Sequence, residues 1–385
     1  MGFQRHLRTG HPQFIVVMAA VISFCTAALC FAQGSLRKRI GWLMAFAVAI
    51  GFEGMAADFR FQPKVIIVST FEIGADTGDK PGEFQFWVER EGLTNSVRVP
   101  GMDHAVRYRD DGLFGCVSGT TVRCAEQMLL LGVDPRFDFT HTYWLINGIA
   151  GVNPEYASVG SAAWARWVVD GDLAYEIDVR EIPSDWPYGI LPLGGREPNK
   201  AVPPPPWAPK PMAWELDAGL VQWAYGLSKD ISIPDSPSAA LHRRRFTSWP
   251  AAQLPARVIQ GECLASGRYW HGLRQNQWAS DWVRIQTRGE GRMAMSDMED
   301  HGLLSALHRL SSMDRTDARR ILVLRTGSNY TVPRPGQSAS ESLHEDYAGM
   351  RPALEAAYLA GSVVVHALMS DWPRYRDRLP VEPSP

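Results

Sequence analysis

Residues 144–151, with the sequence WLINGIAG, decide the fold of this 385-residue chain. Their first half is a short apolar run, which is typical of a buried strand in a parallel sheet. Their second half predicts a tight turn, in which small residues let a ligand approach the backbone because no Cβ stands in the way. The segment therefore predicts a central strand followed by a binding turn at Gly148 and Gly151.

The same pattern of strand and loop recurs along the chain. Runs rich in β-branched and aliphatic residues at 64–70, 258–261 and 321–324 each predict a buried strand, while helical periodicity marks 122–131. Alternating strands and helices predict one α/β domain over residues 58–385, with a mixed central β-sheet flanked by helices.

Residues 1–57 predict an N-terminal hydrophobic leader. Residues 40–52 form an apolar core that follows a basic segment and precedes small residues, so we expect a signal peptide cleaved near Ala56 or Ala57. Residues 14–32 are long enough to span a bilayer, so they either are an additional membrane anchor or belong to an upstream start that is not used. We expect an exported protein, periplasmic or extracellular, and no membrane-spanning run beyond residue 60.

Composition narrows the range of partners. The net charge of -2 and the charged fraction of 21% give no reason to expect nucleic acid or an anionic membrane surface. Cys116 and Cys124 could pair in an oxidising compartment, but the sequence leaves their geometry open. Neither a CxxC pair nor a histidine-rich cluster occurs, so we expect no metal and no cofactor.

Three segments, in this order along the chain, resemble the nucleoside phosphorylase and nucleosidase superfamily. They are GIAG at 148–151, DMED at 297–300 and RTGSNY at 325–330, the last of which is similar to a turn of the superfamily. From residue 63 to 380 the chain more closely resembles the purine nucleoside permease family. The resemblance implies a nucleoside-phosphorylase-like domain, purine nucleosides as ligands and a part in nucleoside transport across the cell envelope.

The resemblance also implies roles for acidic residues. Met298 and Glu299 match a pair that packs under the ribose, and a carboxylate can accept hydrogen bonds from two vicinal hydroxyls. An acid favoured by the helix dipole is the alternative for Glu299. Glu72, with Asp76 in reserve, matches the carboxylate that activates water, unless it is a purely structural acid.

The implied base site involves four residues. Asn329 takes the place of an aspartate that supplies a proton to purine N7, and its amide can donate a hydrogen bond there instead. This change favours inosine or guanosine over adenosine, with a turn-capping Asn as the alternative. Tyr269 or Trp270 could stack on the base, although a place in the hydrophobic core explains Trp270 almost as well. Ser266 could form a hydrogen bond with the base.

The phosphate-binding Arg and Ser of the superfamily are replaced by Ile146 and Ile149, which cannot neutralise a phosphate dianion. We therefore expect purine nucleoside binding with hydrolysis of the N-glycosidic bond, as in a purine nucleosidase. A non-catalytic component that hands intact nucleoside to a separate membrane transporter is the alternative, and phosphorolysis ranks third. Association into homo-oligomers is left open.

Overall fold

A mixed sheet of twelve strands is the centre of the computed structural model, which describes residues 60–208 and 211–381. The predicted leader, residues 1–57, lies outside the described residues. The strands are β1 (Val65–Ser69), β2 (Asn95–Val97), β3 (Val106–Tyr108), β4 (Leu113–Val117), β5 (Tyr143–Val152), β6 (Ala162–Trp164), β7 (Trp167–Asp170), β8 (Ala174–Glu176), β9 (Ile190–Pro192), β10 (Ala213–Glu215), β11 (Val258–Gln260), β12 (Glu262–Ala265), β13 (Met293–Asp297) and β14 (Ile321–Tyr330).

Helices cover the sheet. They are α1 (Gln85–Glu91), α2 (Val122–Val133), α3 (Ala218–Ser228), α4 (Pro237–Arg244), α5 (Pro250–Gln253), α6 (Leu273–Gln286), α7 (Asp300–Ser311), α8 (Ala339–Leu343), α9 (Met350–Ser370) and α10 (Trp372–Tyr375). A 3₁₀ turn at Ala318–Arg320 leads into β14.

The strand order is β10-β7-β12-β13-β5-β1-β4-β3-β2, with β14 beside β5 and β6, and β11 beside β6. Parallel pairs, such as β1 with β4 and β5, meet antiparallel pairs, such as β13 with β5. β8 and β9 form a separate two-stranded sheet. The predicted α/β class with a mixed central sheet flanked by helices is confirmed.

The two segments expected to be turns are parts of long strands. Residues 148–151 lie inside β5 and residues 325–330 lie inside β14, and the two strands run parallel with Ile321 opposite Trp144. The prediction of a tight turn was therefore wrong in both places. The reason is the long-range pairing between β5 and β14, which supplies the hydrogen bonds that a turn would otherwise make.

A β-bulge interrupts this pairing. Gly327 faces Ala150 and Asn329 faces Gly151, so Ser328 is an extra residue in β14. Side chains alternate between the two faces of a strand, and one extra residue moves every later side chain to the other face. The bulge thus places Asn329, rather than Ser328, opposite Gly151.

α9 packs against β14 and β5, and it is the one helix in the described part of the chain that is long and apolar enough to cross a membrane. The expectation of no such run beyond residue 60 was therefore wrong by length and composition. More than half of its most apolar window is buried within the protein, as in a core helix.

Cys116, Cys124 and Cys263 are buried and free, so Cys116 and Cys124 form no disulfide. The Cys124 thiol instead donates to the carbonyl oxygens of Thr121 at 2.7 Å and Glu299 at 3.3 Å. Burial raises the pKa of the Cys116 thiol to about 12, which makes it unreactive as a nucleophile.

Candidate nucleoside-binding site

Arg325 is the centre of the candidate site. It follows the apolar residues 321–324 in β14, and its side chain is fully buried. A buried guanidinium must be paired, and Asp300 at the start of α7 provides the partner. Asp300 Oδ1 lies 2.5 Å from Nη2 and 3.1 Å from Nε of Arg325. Glu299 Oε2 lies 3.3 Å from the same Nη2.

Two further acids surround this guanidinium. Asp297 Oδ1 lies 3.7 Å from Nη2 of Arg325, and Glu83 Oε1 lies 4.0 Å from Nη1. Burial raises the pKa values of Glu83, Glu299 and Asp300, and the nearby guanidinium only partly offsets the rise. Four carboxylates facing one arginine would leave three unbalanced negative charges, so the cluster retains protons near neutral pH.

Glu83 is the member of this cluster that lies outside all three segments of the resemblance; the sequence analysis assigned no role to it, nor to Asp297, Asp300 or Arg325. Its Oε2 accepts hydrogen bonds from the backbone N–H and the hydroxyl of Thr70, at 2.7 and 2.8 Å, just beyond β1. Its Oε1 accepts from the backbone N–H of Ile149 at 2.7 Å. A Cβ on Gly148 would lie 2.5 Å from Glu83 Oε1 and 2.6 Å from Arg325 Nη1, so only glycine fits beneath this pair.

Glu72 and Asp76 lie in the loop before α1. The Glu72 carboxylate accepts hydrogen bonds from the backbone N–H groups of Phe84 and Gln85, at 2.8 and 2.6 Å, and from two more in the same loop. Asp76 pairs with Arg107 at 3.9 Å. Within the described residues, neither acid has a recorded contact with the buried cluster. The catalytic roles of Glu72 and Asp76 stay predictions.

Five predicted residues line one recess, which we call the inner recess. They are Gly151, Tyr269, Trp270, Met298 and Asn329. Asp297 also lines the inner recess and so joins it to the buried cluster. The inner recess has a volume of about 30 Å³. The structure thus brings together residues of the predicted glycine, ribose and base segments.

The remaining predicted residues lie deeper. Glu299 precedes α7 and is 6% exposed beside the arginine. Ser266 is fully buried, and its hydroxyl donates to Asp172 Oδ1 at 2.6 Å. Trp270 borders the inner recess but also packs edge-on against Trp278, with ring centroids 5.9 Å apart. Trp270 therefore combines the two roles that the sequence left open, a place in the core and a surface toward the site.

Two groups of side chains have spacings that a metal ion could use. Asp170, Asp172 and His301 form one, and Cys263, Asp297 and Asp300 form the other. In the first group His301 Nε2 already pairs with Asp172 at 3.2 Å. In the second group Asp300 pairs with the buried guanidinium. We assign a metal to neither group, and the expectation of none stays a prediction.

A wider groove, of about 850 Å³, lies elsewhere. It runs between α2 and α7, and His301 and His308 are among its lining residues. None of the predicted catalytic, ribose-binding or base-binding residues borders it. We therefore place the candidate site at the inner recess, on chemistry rather than size.

Comparison with known proteins finds purine nucleoside permeases of two yeasts among the relatives of this chain. The chain is 26% identical over 325 residues to a probable purine nucleoside permease of Schizosaccharomyces pombe, covering 81% of this chain and 90% of that protein. It is 25% identical over 326 residues to the purine nucleoside permease of Candida albicans, and the match covers 81% of this chain and 76% of that protein.

Among solved structures, similar chains include 5′-methylthioadenosine/S-adenosylhomocysteine nucleosidases. For the nucleosidase from Helicobacter pylori, the TM-score is 0.49 and the identity 12%, and the match covers 80% of this chain and 99% of that chain. For the nucleosidase from Neisseria meningitidis, the TM-score is 0.45 and the identity 16%, and the match covers 80% of this chain and 100% of that chain. The assignment to a family rests on sequence, because the model of the purine nucleoside permease family matches residues 62–380. The predicted resemblance is confirmed, and this chain belongs to the purine nucleoside permease family.

Proposed function

We propose that this protein binds purine nucleosides and hydrolyses their N-glycosidic bond, giving free base and ribose. The observation that carries the proposal is the inner recess, where Asn329, Tyr269 and Met298 meet beside the buried acids. The names of the family and of its relatives support a purine nucleoside as the ligand. In line with the predicted leader, we further propose that the protein acts outside the cytoplasmic membrane.

Each part of the substrate has a suitable partner. Glu299 would accept hydrogen bonds from the ribose hydroxyls, since a carboxylate offers several lone pairs. The amide of Asn329 would donate to purine N7, which makes the base a better leaving group. Tyr269 and Trp270 would contact the face of the base.

Glu83 is our candidate for the residue that activates water. Burial raises its pKa, which makes its carboxylate a stronger base than that of an exposed glutamate. The water oxygen would bond to C1′ as the bond from C1′ to the base breaks, and Glu83 would take the proton from water. The base would leave with the bonding electron pair, hydrogen-bonded at N7 by Asn329, and would take up a proton from solvent. Glu72 remains the alternative: each of the two carboxylates accepts hydrogen bonds from four groups, but Glu83 lies 4.0 Å from Arg325 in the buried cluster, whereas Glu72 has no contact with that cluster within the described residues.

The test uses a matched pair of variants of the full-length chain, Glu83→Gln and Glu72→Gln. Each is incubated with inosine in phosphate-free buffer, and hypoxanthine and ribose are measured by chromatography. We expect Glu83→Gln to lower the rate by about 10²–10⁴-fold with inosine binding retained. We expect Glu72→Gln to lower stability and leave the rate per folded molecule near that of the parent. The opposite pattern would move the role to Glu72.

A non-catalytic binding component is the second candidate. The observation in its favour is Asn329, because a neutral amide has no acidic proton to give to N7. In that case no variant and no parent protein releases base, while inosine still binds saturably. Such a result would make the chain a receptor for a separate transporter.

Phosphorolysis ranks third for an electrostatic reason. The backbone N–H of Ile149 binds the Glu83 carboxylate, and Ile146 is fully buried in β5. Four acids near this position would repel a phosphate dianion. We expect base release, if it occurs, to be independent of added inorganic phosphate.

A further inference from the structure

A second recess lies on the other side of Asn329. This outer recess has a volume of about 20 Å³, and Tyr269, His271, Asn329 and Tyr347 are among its lining residues. Tyr269 and Asn329 border both recesses, so their contact separates the two. Volumes of 20 to 30 Å³ hold only about one or two water molecules each. A nucleoside therefore requires that the two recesses join and widen.

The amide of Asn329 has a fixed orientation. One N–H of Nδ2 points to the carbonyl oxygen of Tyr330 at 3.2 Å, and a carbonyl can only accept. The other N–H donates to the hydroxyl of Tyr269 at 2.9 Å. Asn329 thus presents a donor toward the boundary between the recesses, and a ligand atom there must be an acceptor such as purine N7.

The Tyr269 hydroxyl occupies the place of that acceptor. It accepts from Asn329 and also from the hydroxyl of Tyr347 at 2.9 Å. The side chain is otherwise loosely held, since Tyr269 is 46% exposed. A base that accepts from Asn329 would replace the hydrogen bond from Asn329 to this hydroxyl, so the Tyr269 hydroxyl must move aside while its ring contacts the base.

His271 is unusual among the residues of the outer recess. Both of its ring nitrogens are buried, and neither has a hydrogen-bond partner within the described residues. Burial lowers the pKa of His271, so the ring is neutral and offers one donor and one acceptor. The next residue, Gly272, donates its backbone N–H to Thr331 at 2.9 Å, which holds this loop against the end of β14.

We propose that His271 hydrogen-bonds the substituent at position 6 of the purine while Asn329 donates to N7. On a purine ring, N7 and the 6-substituent share one edge, and His271 and Asn329 border the same recess. Because neither ring nitrogen is engaged, one tautomer suits a 6-oxo group and the other a 6-amino group. His271 is then a specificity residue for 6-substituted purines as a class, and it adds no preference for inosine over adenosine. The inference rests on the proposed nucleoside binding.

The experiment compares hypoxanthine with purine, which lacks the 6-substituent. Neither base can be hydrolysed, so calorimetry measures binding whether or not the protein is an enzyme. For the full-length parent we expect hypoxanthine to bind roughly five- to tenfold more tightly than purine, the worth of one hydrogen bond. In His271→Ala this ratio should fall to about one, with the affinity for purine little changed.

Two further variants guard against a general loss of structure. His271→Asn keeps a donor and an acceptor, and it should recover part of the ratio. His308→Ala is the matched control, because His308 is also half-buried, with a pKa lowered by burial and an Nε2 that has no hydrogen-bond partner among the described residues, but lines the groove between α2 and α7. It should leave the ratio unchanged.

The outcomes separate the two proposals. A ratio that is the same in His271→Ala and in the parent overturns the role of His271 and leaves nucleoside binding standing. Failure of the parent to bind inosine, hypoxanthine and purine overturns both.

Discussion

Replacing Gly148 by alanine tests the packing of the buried cluster. The added Cβ would lie 2.5 Å from Glu83 Oε1 and 2.6 Å from Arg325 Nη1, which is closer than van der Waals contact allows. Neither group can yield freely, because Glu83 is held by Thr70 and Ile149, and Arg325 by Asp300.

The expected cost follows from these contacts. Overpacking a core costs about 1–3 kcal/mol, and disrupting a buried ion pair costs about 3–5 kcal/mol. We expect Gly148→Ala to lower the free energy of unfolding by about 3–5 kcal/mol. It should also abolish inosine binding, because Glu299 shares the guanidinium that would have to move.

Gly151→Ala is the matched control, three residues along the same strand. Its Cβ would meet the methyl group of Thr331 at 3.1 Å, a tight contact with one small group. We expect a loss of about 1 kcal/mol. Urea denaturation followed by circular dichroism measures the stability of both variants, and inosine calorimetry is applied to Gly148→Ala alone, because Gly151 itself lines the inner recess. If Gly148→Ala proves as stable as Gly151→Ala, the packing of Glu83 and Arg325 against the β5 backbone is not what requires glycine.

Three other changes have definite expected results. Glu299 has a folded-state pKa above its ordinary value of 4.5, so the stability that it contributes is present at low pH and is lost as pH rises through the folded pKa. Glu299→Gln should therefore flatten the fall in the urea midpoint of the protein between about pH 5 and 9. An unchanged slope would contradict this expectation. Deleting Ser328 removes the bulge but leaves Asn329 opposite Gly151, so the amide should stay on its face and calorimetry should still detect inosine binding; loss of binding would mean that the Ser328 hydroxyl, which donates to Asn329 Oδ1, is needed to orient the amide. Tyr347→Phe removes the hydrogen bond to Tyr269 and should tighten hypoxanthine binding about two- to fivefold, whereas weaker binding would mean that Tyr347 itself holds the base.

The strands of the central sheet were predictable, but their ends were not. Residues 321–324 are apolar and β-branched enough to be identified as a buried strand. The continuation through residues 325–330 depends on pairing with β5, which no local pattern encodes. Gly148 and Gly327 are as compatible with a turn as with a strand, so composition alone favoured the wrong choice.

The acids of the site show a similar limit. Glu72 is the first acid after β1, which made it the natural candidate, yet its carboxylate lies at the start of α1. Glu83 is 14 residues beyond Ser69, and only the course of the intervening loop brings its side chain back to the end of the strand. Arg325 carried a stronger signal that could have been used. A charged residue that continues a fully apolar strand must have buried partners of opposite charge.

The pairing of β5 with β14 bears on how and when this protein becomes competent to bind. Arg325 and Ile149, which face each other across the site, are 176 residues apart in sequence. Contacts of such high sequence separation form late in folding, because a long loop must close before they stabilise the chain. During synthesis the N-terminal half leaves the ribosome without the strand that completes its binding site. A chain exported before folding is complete would thus cross the membrane unable to capture nucleoside from the cytoplasm, and would first acquire that ability on the far side.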